Sequence, residues 1–288
     1  MKTRSASGEV RKRLAEFIAN FFAWLPTPIQ RFLIRAFRRP ILWWLFRAYG
    51  TTLSLTPAGP RHCRFHMWLD PSSYSDFILG IYEPGCTEVL RKCAKEGSLC
   101  VDVGANLGYF SIFMSRLIGE RGQVIAFEPM PDTVKMLREN VQANDLRNVT
   151  VVAAAASDES GPVEFFSEPS QSMTKTASML NDRFQGISQT TIVSSIRLDD
   201  YFAGAARLPD FIKIDVEGAE EAVLNGARDT LARASPALVV EIHQWGSSGS
   251  QRVLELLSEL GYSAHIFETR MPEALCVATP LSVIKTAS

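Results

Sequence analysis

The chain has 288 residues, 46% of them hydrophobic, and a formal net charge of −1 at pH 7. That length and apolar content suit one large folded domain with an appendage, and they exclude disorder as the main state. The five cysteines are odd in number and include no C-x-x-C pair, so neither a disulfide framework nor a zinc ribbon is indicated. We therefore expect a protein of the reducing cytoplasm.

Residues 1–50 form a basic and aromatic arm. They hold ten Lys and Arg but only two Glu, a balance of +8, which leaves −9 on the rest of the chain. Arg31, Arg35 and Arg38 recur at helical spacing, although no run reaches the roughly 20 apolar residues of a membrane-spanning helix. The composition of residues 11–48 is typical of helices that bind the inner face of a membrane peripherally, and it favours nucleic acid less. Packing against the main domain, or against a second copy in a homo-oligomer, explains the same composition, and the sequence leaves both interpretations open.

Residues 51–95 are interpreted as a small, mainly β lead-in, with strand-like runs at TTLSLT and RHCRFHMWLD. In the second run, His62 and His66 lie four residues apart, which is a spacing of metal ligands on a helix. On a strand the same spacing separates them by more than about 10 Å, so they cannot share an ion. We therefore predict no metal site.

From residue 96 to residue 288, short β-branched runs alternate with amphipathic segments. This alternation predicts an α/β domain with a mostly parallel sheet, right-handed crossovers and helices on both faces. A closing hairpin follows Gly261, and an insertion at 157–197 has β-rich ends and a polar middle. The predicted strands cover 99–104, 123–129, 148–155, 210–216 and 237–243, and the predicted helices lie near 107–119, 131–144, 218–233 and 250–260.

The loop after the first predicted strand carries the clearest signal of ligand binding. Its two glycines remove side chains where a ligand must lie against the backbone, and Asp102 ends the strand facing that ligand. A dinucleotide-binding loop needs a glycine where Asn106 stands, so a pyrophosphate is disfavoured. The predicted cofactor-binding residues of this loop are Asp102, Gly104, Ala105, Asn106 and Gly108.

The second predicted strand ends in another carboxylate, Glu128, which is followed by Pro129. A carboxylate at this place can accept hydrogen bonds from both hydroxyls of a ribose, as an adenosine cofactor on such a fold requires. Together with the glycine loop, Glu128 and Pro129 predict an adenosyl ligand without phosphates. Ala155, Ser157 and Asp158 end the third predicted strand and are expected to meet the adenine edge.

Four segments, in this order and spacing, resemble the FkbM-type methyltransferases. They read CVDVGANLGYFSIFMSRLIGERGQVIAFEPMPDTVKMLRENVQAN, AAAASDESGPVEF, IRLDDYF and DFIKIDVEGAEEAVLNGA. The resemblance covers about residues 80–243 and leaves the arm outside. It implies a class I methyltransferase fold, which is Rossmann-like with a seven-stranded sheet, and S-adenosylmethionine as the donor. It also implies O-methylation, often of a hydroxyl on a sugar, glycolipid, glycan or other natural product.

Methyl transfer from a sulfonium is an in-line displacement, so the protein has to align the acceptor oxygen and remove its proton. Ligands of open α/β sheets lie beyond the carboxyl ends of the strands. Three candidate bases stand there: Asp215 after the fourth strand, and Glu241 and His243 at the end of the fifth. An ordinary pKa near neutrality suits His243 for this task. Asp215 and the upstream Glu83 are also expected to contact the donor.

Two other classes of function stay open on the sequence alone. One is a nucleotide-dependent oxidoreductase on the same fold, against which Asn106 argues because it replaces the pyrophosphate glycine. The other is a non-catalytic scaffold whose arm binds a membrane or a partner. Alanine at Asp215, Glu241 and His243 would leave the function of such a scaffold unchanged.

Overall fold

The structure is a computed structural model that describes residues 54–60, 62–70, 74–167, 174–176, 189–243, 246–270 and 272–281. The arm at 1–50 lies outside the described residues, and its contact with a membrane or a second copy stays a prediction. Among the helices that are described, none has the length and apolarity to cross a membrane. The chain divides into two compact units, Met1–Pro84 with Glu139–Asp145, and Gly85–Arg138 with Leu146–Ser288.

The first unit contains an antiparallel hairpin of β1 (Ser54–Ala58) and β2 (Phe65–Leu69), followed by the short helix α1 (Ser75–Leu79). Strand β2 alternates buried and more exposed residues, as expected for a strand with one apolar face. The lead-in expected to be mainly β is therefore β only in its first half. Helices α1 and α2 (Pro84–Cys93) occupy much of the rest.

The second unit is built on a seven-stranded sheet, which confirms the predicted α/β fold with a mostly parallel sheet. The strand Glu273–Pro280 runs antiparallel to both of its neighbours, and the remaining pairs are parallel. In spatial order the strands are β12 (Tyr262–Arg270), β13 (Glu273–Pro280), β11 (Ala237–Ile242), β10 (Phe211–Ile214), β3 (Leu99–Val103), β4 (Gln123–Phe127) and β5 (Val149–Val152).

Helices of the second unit follow the strands as the sequence pattern predicts. A core of Val, Leu, Ile and Phe side chains from the central strands and these helices is almost completely buried, which stabilises the layered arrangement. Besides α2, the described helices are α3 (Tyr109–Ile118), α4 (Pro131–Gln142), α5 (Leu198–Tyr201), α6 (Glu220–Asn225), α7 (Arg228–Ala234) and α8 (Ser248–Glu259). The chain runs outward from β3 to β4 on one side and to β10 on the other, and such a reversal point is where ligands bind in open α/β sheets.

The insertion forms a sheet of its own. In spatial order its strands are β6 (Ala155–Ala156), β9 (Gln189–Ile196), β7 (Gly161–Ser167) and β8 (Thr174–Thr176). The third strand predicted at 148–155 is wrong at its end, because β5 stops at Val152 and Ala155 pairs with Ser195 in the smaller sheet. The described part of the polar middle is the short strand β8.

Candidate active site

Three neighbouring parallel strands bring the predicted site residues to one edge of the large sheet. Lys213 on β10 pairs in register with Asp102 on β3 and with Val239 on β11. The backbone N–H of Asp215 donates to the carbonyl of Val103 at 3.0 Å, so the pairing with β3 continues just past the strand. The carboxyl ends of β3, β10 and β11 therefore present their side chains close together.

The loop after β3 is a tight turn held by backbone hydrogen bonds. The N–H groups of Gly104 and Ala105 both donate to the carbonyl of Phe127, at 3.0 and 2.9 Å. Gly104, Asn106 and Gly108 all have left-handed backbones, with φ of 81°, 50° and 90°. Two of these three positions carry glycine, which adopts this conformation without a steric penalty.

Protein atoms occupy the space that a side chain at either glycine would take. A β-carbon at Gly104 would overlap the backbone oxygen of Asp215, and one at Gly108 would lie 2.5 Å from a methyl group of Leu137. The sequence reading, in which the glycines clear space for a ligand, is thus incomplete. Both glycines are required first because Asp215, just after β10, and Leu137 on α4 lie so close to the loop.

Alanine at Gly104 should therefore destabilise the protein more than alanine at Gly97, which has the same φ of 81° but open space around its β-carbon. The left-handed backbone costs about 1–2 kcal/mol in both variants. Overlap with Asp215 should cost about 1–3 kcal/mol more at Gly104 alone. Urea unfolding of the two variants measures this difference, and equal losses of free energy of unfolding would contradict it.

Glu128 ends β4 and is fixed by two backbone donors. One carboxylate oxygen accepts from Asn106 N–H and the other from Met130 N–H, both at 3.0 Å. Burial raises the pKa of Glu128 to about 7, although these two hydrogen bonds act in the opposite direction. Each oxygen keeps a further lone pair, so the oriented carboxylate can accept from two neighbouring hydroxyls. Pro129, half-buried, leads the chain directly into the Met130 donor.

Asp102 is fully buried and only partly satisfied by the protein. Its Oδ2 accepts from the hydroxyl of Ser111, while its Oδ1 has no hydrogen-bond partner within the described residues and lies 3.9 Å from Lys213 Nζ. Burial raises the pKa of Asp102, and the charge of Lys213 opposes this rise. A buried acceptor oxygen of this kind calls for a donor group. The ammonium and ribose hydroxyls of the expected cofactor therefore fit Asp102 and Glu128.

His243 follows β11 and is hydrogen-bonded to the carboxylate of Glu220, the first residue of helix α6. Its Nδ1 donates to Glu220 Oε1 at 2.7 Å, and the N–H of Gly218 donates to the same oxygen at 2.7 Å. The Nε2 atom points the other way, 3.9 Å from Asp215 Oδ1 and 3.5 Å from Glu217 Oε2. The histidine thus joins the ends of β10 and β11 and has its orientation set by Glu220.

The acidic surroundings change the titration of His243. Burial alone would lower its pKa, but the hydrogen bond and charge of Glu220, with the charges of Asp215 and Glu217, raise the pKa to about 9. The value near neutrality that the sequence suggested is therefore too low. At neutral pH the ring is therefore the imidazolium cation, whose positive charge compensates the neighbouring carboxylates.

Glu241 lies on β11 at the same edge and is 5% exposed. Ligand atoms of Glu241, His243 and Glu273 all lie within 4.8 Å of one another, a spacing in which three side chains can share either a proton or a cation. The three predicted bases, Asp215, Glu241 and His243, are thus brought together around one imidazole. The expectation that the chain binds no metal stays a prediction.

Three predicted cofactor residues, Ala155, Ser157 and Asp158, have no described contact with this cluster. Ala155 is buried in the smaller sheet, the carbonyl of Ser157 packs against Gly226, and Asp158 is exposed and accepts from the Ser157 hydroxyl. Glu83 belongs to the first unit, where it is buried. Donor binding by these four residues stays a prediction.

Sequence reasoning assigned no role to four side chains that shape the site: Ser111, Lys213, Glu220 and Glu273. Glu220 and His243 are 23 positions apart, and nothing in the local pattern indicates that they touch. The one available signal was the charge of Lys213 inside an apolar strand, since a buried charge is costly unless it is paired. Glu273 lies in the closing hairpin, beyond the segments that carry the family resemblance.

Comparisons with known proteins agree on the class of protein. The family model described as the methyltransferase FkbM domain matches residues 102–264. The chain is 30% identical over 195 residues to the hexuronic acid methyltransferase AglP of Haloferax volcanii, covering 66% of this chain and 74% of that protein. It is also 29% identical over 188 residues to methyltransferase sdnD of Sordaria araneosa, covering 55% and 71%.

Two solved structures are similar at lower identity. The methyltransferase FkbM from Methylobacillus flagellatus is 18% identical with a TM-score of 0.45, covering 70% of this chain and 52% of that one. Fibrillarin of Aeropyrum pernix, a structure with natively bound S-adenosyl-L-methionine, is 16% identical with a TM-score of 0.46 and covers 67% and 73%.

Proposed function

Because the chain belongs to the FkbM methyltransferase family and uses S-adenosylmethionine as its cofactor, we propose that it methylates a hydroxyl oxygen of a sugar or similar natural-product acceptor. The observation that carries this proposal is the His243–Glu220 pair, with a donor–acceptor distance of 2.7 Å, at the strand edge that also holds Asp102 and Glu128. A histidine oriented by a carboxylate is an arrangement that removes a proton from a hydroxyl. A relative that methylates a hexuronic acid supports a sugar as the acceptor.

Residues of the chain would bind the donor and remove the proton from the acceptor hydroxyl. Glu128 would accept hydrogen bonds from the ribose of the donor, and Asp102 would accept one from its ammonium group. When bound, the donor supplies a methyl group activated by its sulfonium and leaves as the thioether. The acceptor oxygen forms the new bond to that methyl carbon while its proton passes to Nε2 of His243. Glu220, Asp215 and Glu217 would stabilise the imidazolium that results.

A screen of hydroxyl-bearing acceptors with methyl-labelled donor tests the proposal. Neutral sugars, uronic acids and lipid-linked glycans are incubated separately, and the position of the label is assigned by mass spectrometry and NMR. We expect an O-methyl ether on at least one sugar class. Protein that binds the donor but labels only nitrogen or carbon, or no acceptor at all, would overturn the proposal.

Removal of metal ions should leave the rate unchanged. A cation at Glu241, His243 and Glu273 would have to displace the proton that the His243 pKa of about 9 keeps on the ring at neutral pH. The measurement compares initial rates before and after treatment with EDTA, followed by added Mg²⁺ or Mn²⁺. A loss of rate that either ion restores would show that the carboxylates bind metal.

A further inference from the structure

Lys213 places an ammonium group in the interior of the second unit. The residue is 2% exposed on the central strand β10, and its Nζ lies 5.0 Å from the centre of the Phe110 ring. Burial of a charge in a sheet core costs several kcal/mol unless partners compensate for it. Its position therefore needs an explanation that packing alone does not give.

Lys213 lies close to one carboxylate on the donor side of the active site and to another on the acceptor side. Nζ donates to Asp215 Oδ2 at 2.9 Å and lies 3.9 Å from Asp102 Oδ1. Asp102 ends the strand before the cofactor loop, whereas the other oxygen of Asp215 faces His243 at 3.9 Å. One buried cation is thus shared by the donor-side carboxylate and the acceptor-side carboxylate.

We infer that Lys213 is a positioning residue for methyl transfer: its ammonium attracts and orients the carboxylates of Asp102 and Asp215, one toward the donor and the other toward His243. The part that concerns Asp102 rests on donor binding alone. The part that concerns Asp215 also rests on the proposed function. Lys213 itself contacts neither reactant in this scheme and acts through the two aspartates.

The inference predicts a particular pH dependence for donor binding. The charged groups near Asp102 are Lys213, Asp215 and Glu128, and loss of the ammonium leaves three carboxylates around one buried site. Without that charge Asp102 should be harder to ionise, so its capacity to accept hydrogen bonds from the donor should increase with pH. Above about pH 8 Glu128 is already ionised, and His243 titrates in the wild type as well, so a gain in donor affinity seen there only without the ammonium reports on Asp102.

The test measures the Kd of S-adenosylmethionine by calorimetry between about pH 7 and 9.5 in full-length protein. For Lys213→Met we expect affinity about ten- to a hundred-fold weaker at pH 7, which is the size of a lost hydrogen bond to a charged group, with recovery above pH 8. Lys213→Arg keeps the charge, so its donor affinity should not change above pH 8, like that of the wild type. Lys92→Met, at an exposed lysine, is the control.

Two outcomes of this titration would overturn the inference: donor affinity of Lys213→Met that equals the wild type, or affinity that is weak to the same degree at every pH, as a structural defect would give. A double variant guards against misfolding, because Lys213→Met with Asp102→Asn removes the unbalanced charge. In the Met background Asp102→Asn should cause no further loss of affinity at pH 7, and a full additional loss would also contradict the inference. Failure of O-methylation leaves these donor titrations unaffected, so the two hypotheses fail separately.

Discussion

Replacing His243 by alanine should lower kcat about a hundred- to ten-thousand-fold, the contribution typical of a general base. Donor affinity should stay within a few-fold of the wild type, because no described contact joins His243 to Asp102 or Glu128, the two carboxylates assigned to the donor. Single-turnover assays with saturating donor, combined with calorimetry, separate the two quantities. An unchanged rate would mean that another group, such as Asp215 or Glu241, removes the proton.

The pH dependence of the methyl-transfer rate is a second test of His243 as the base. A base works in its deprotonated form, so with a pKa of about 9 the rate should rise with pH from 7 and level off above 9. Glu220→Gln removes the main group that raises the pKa, and the plateau should begin at a lower pH. The matched control is Glu255→Gln, at an exposed residue of α8, which should leave the pH dependence of the rate unchanged. A rate that falls between pH 7 and 9 would mean that the imidazolium is the active form.

Replacing Glu128 by glutamine should weaken donor binding about ten- to a hundred-fold. The carboxylate accepts from two backbone N–H groups, at Asn106 and Met130, and has lone pairs left for two ribose hydroxyls. An amide has one accepting oxygen, so its NH₂ group would face a backbone donor and a hydrogen bond to a charged acceptor of about 1.5–3 kcal/mol would be lost. Calorimetry with S-adenosylmethionine measures the change.

The pKa of Glu128 adds a second readout. Because burial raises it to about 7, the group is protonated below that pH and loses accepting capacity. Wild-type donor affinity should therefore rise between pH 6 and 8, and the Gln variant should show no such rise in this interval. The control is Glu88→Gln, at an exposed residue of α2. If the Gln variant kept the rise, the titrating group would lie elsewhere.

The two predictions divide the site into separable functions. Glu128 belongs to donor binding, so its variant should change Kd for the donor and leave kcat at saturation largely intact. His243 belongs to proton removal, so its variant should do the reverse. An enzyme in which both variants changed only the Kd of the donor would not support the assignment of His243 as the base.

Local pattern was enough to predict most of the fold. The β-branched runs at β3, β4, β10 and β11 occur where they were expected, because a strand buried on both faces is recognisable from a short apolar segment. The end of the third strand was missed. Four consecutive alanines at 153–156 fit a strand and a loop equally well, and pairing of Ala155 with Ser195 decided the matter.

The positions of the strands along the chain were enough to predict that Asp102, Glu128, Asp215 and His243 stand near strand ends at one edge of the sheet, because parallel strands all point the same way. The interactions among these residues could not be predicted in this way. The Glu220 contact that raises the pKa of His243, and the Lys213 ammonium shared by two aspartates, are made across layers and strands distant in sequence. Electrostatic coupling depends on distance and burial in space, and neither is encoded in the periodicity of a single segment.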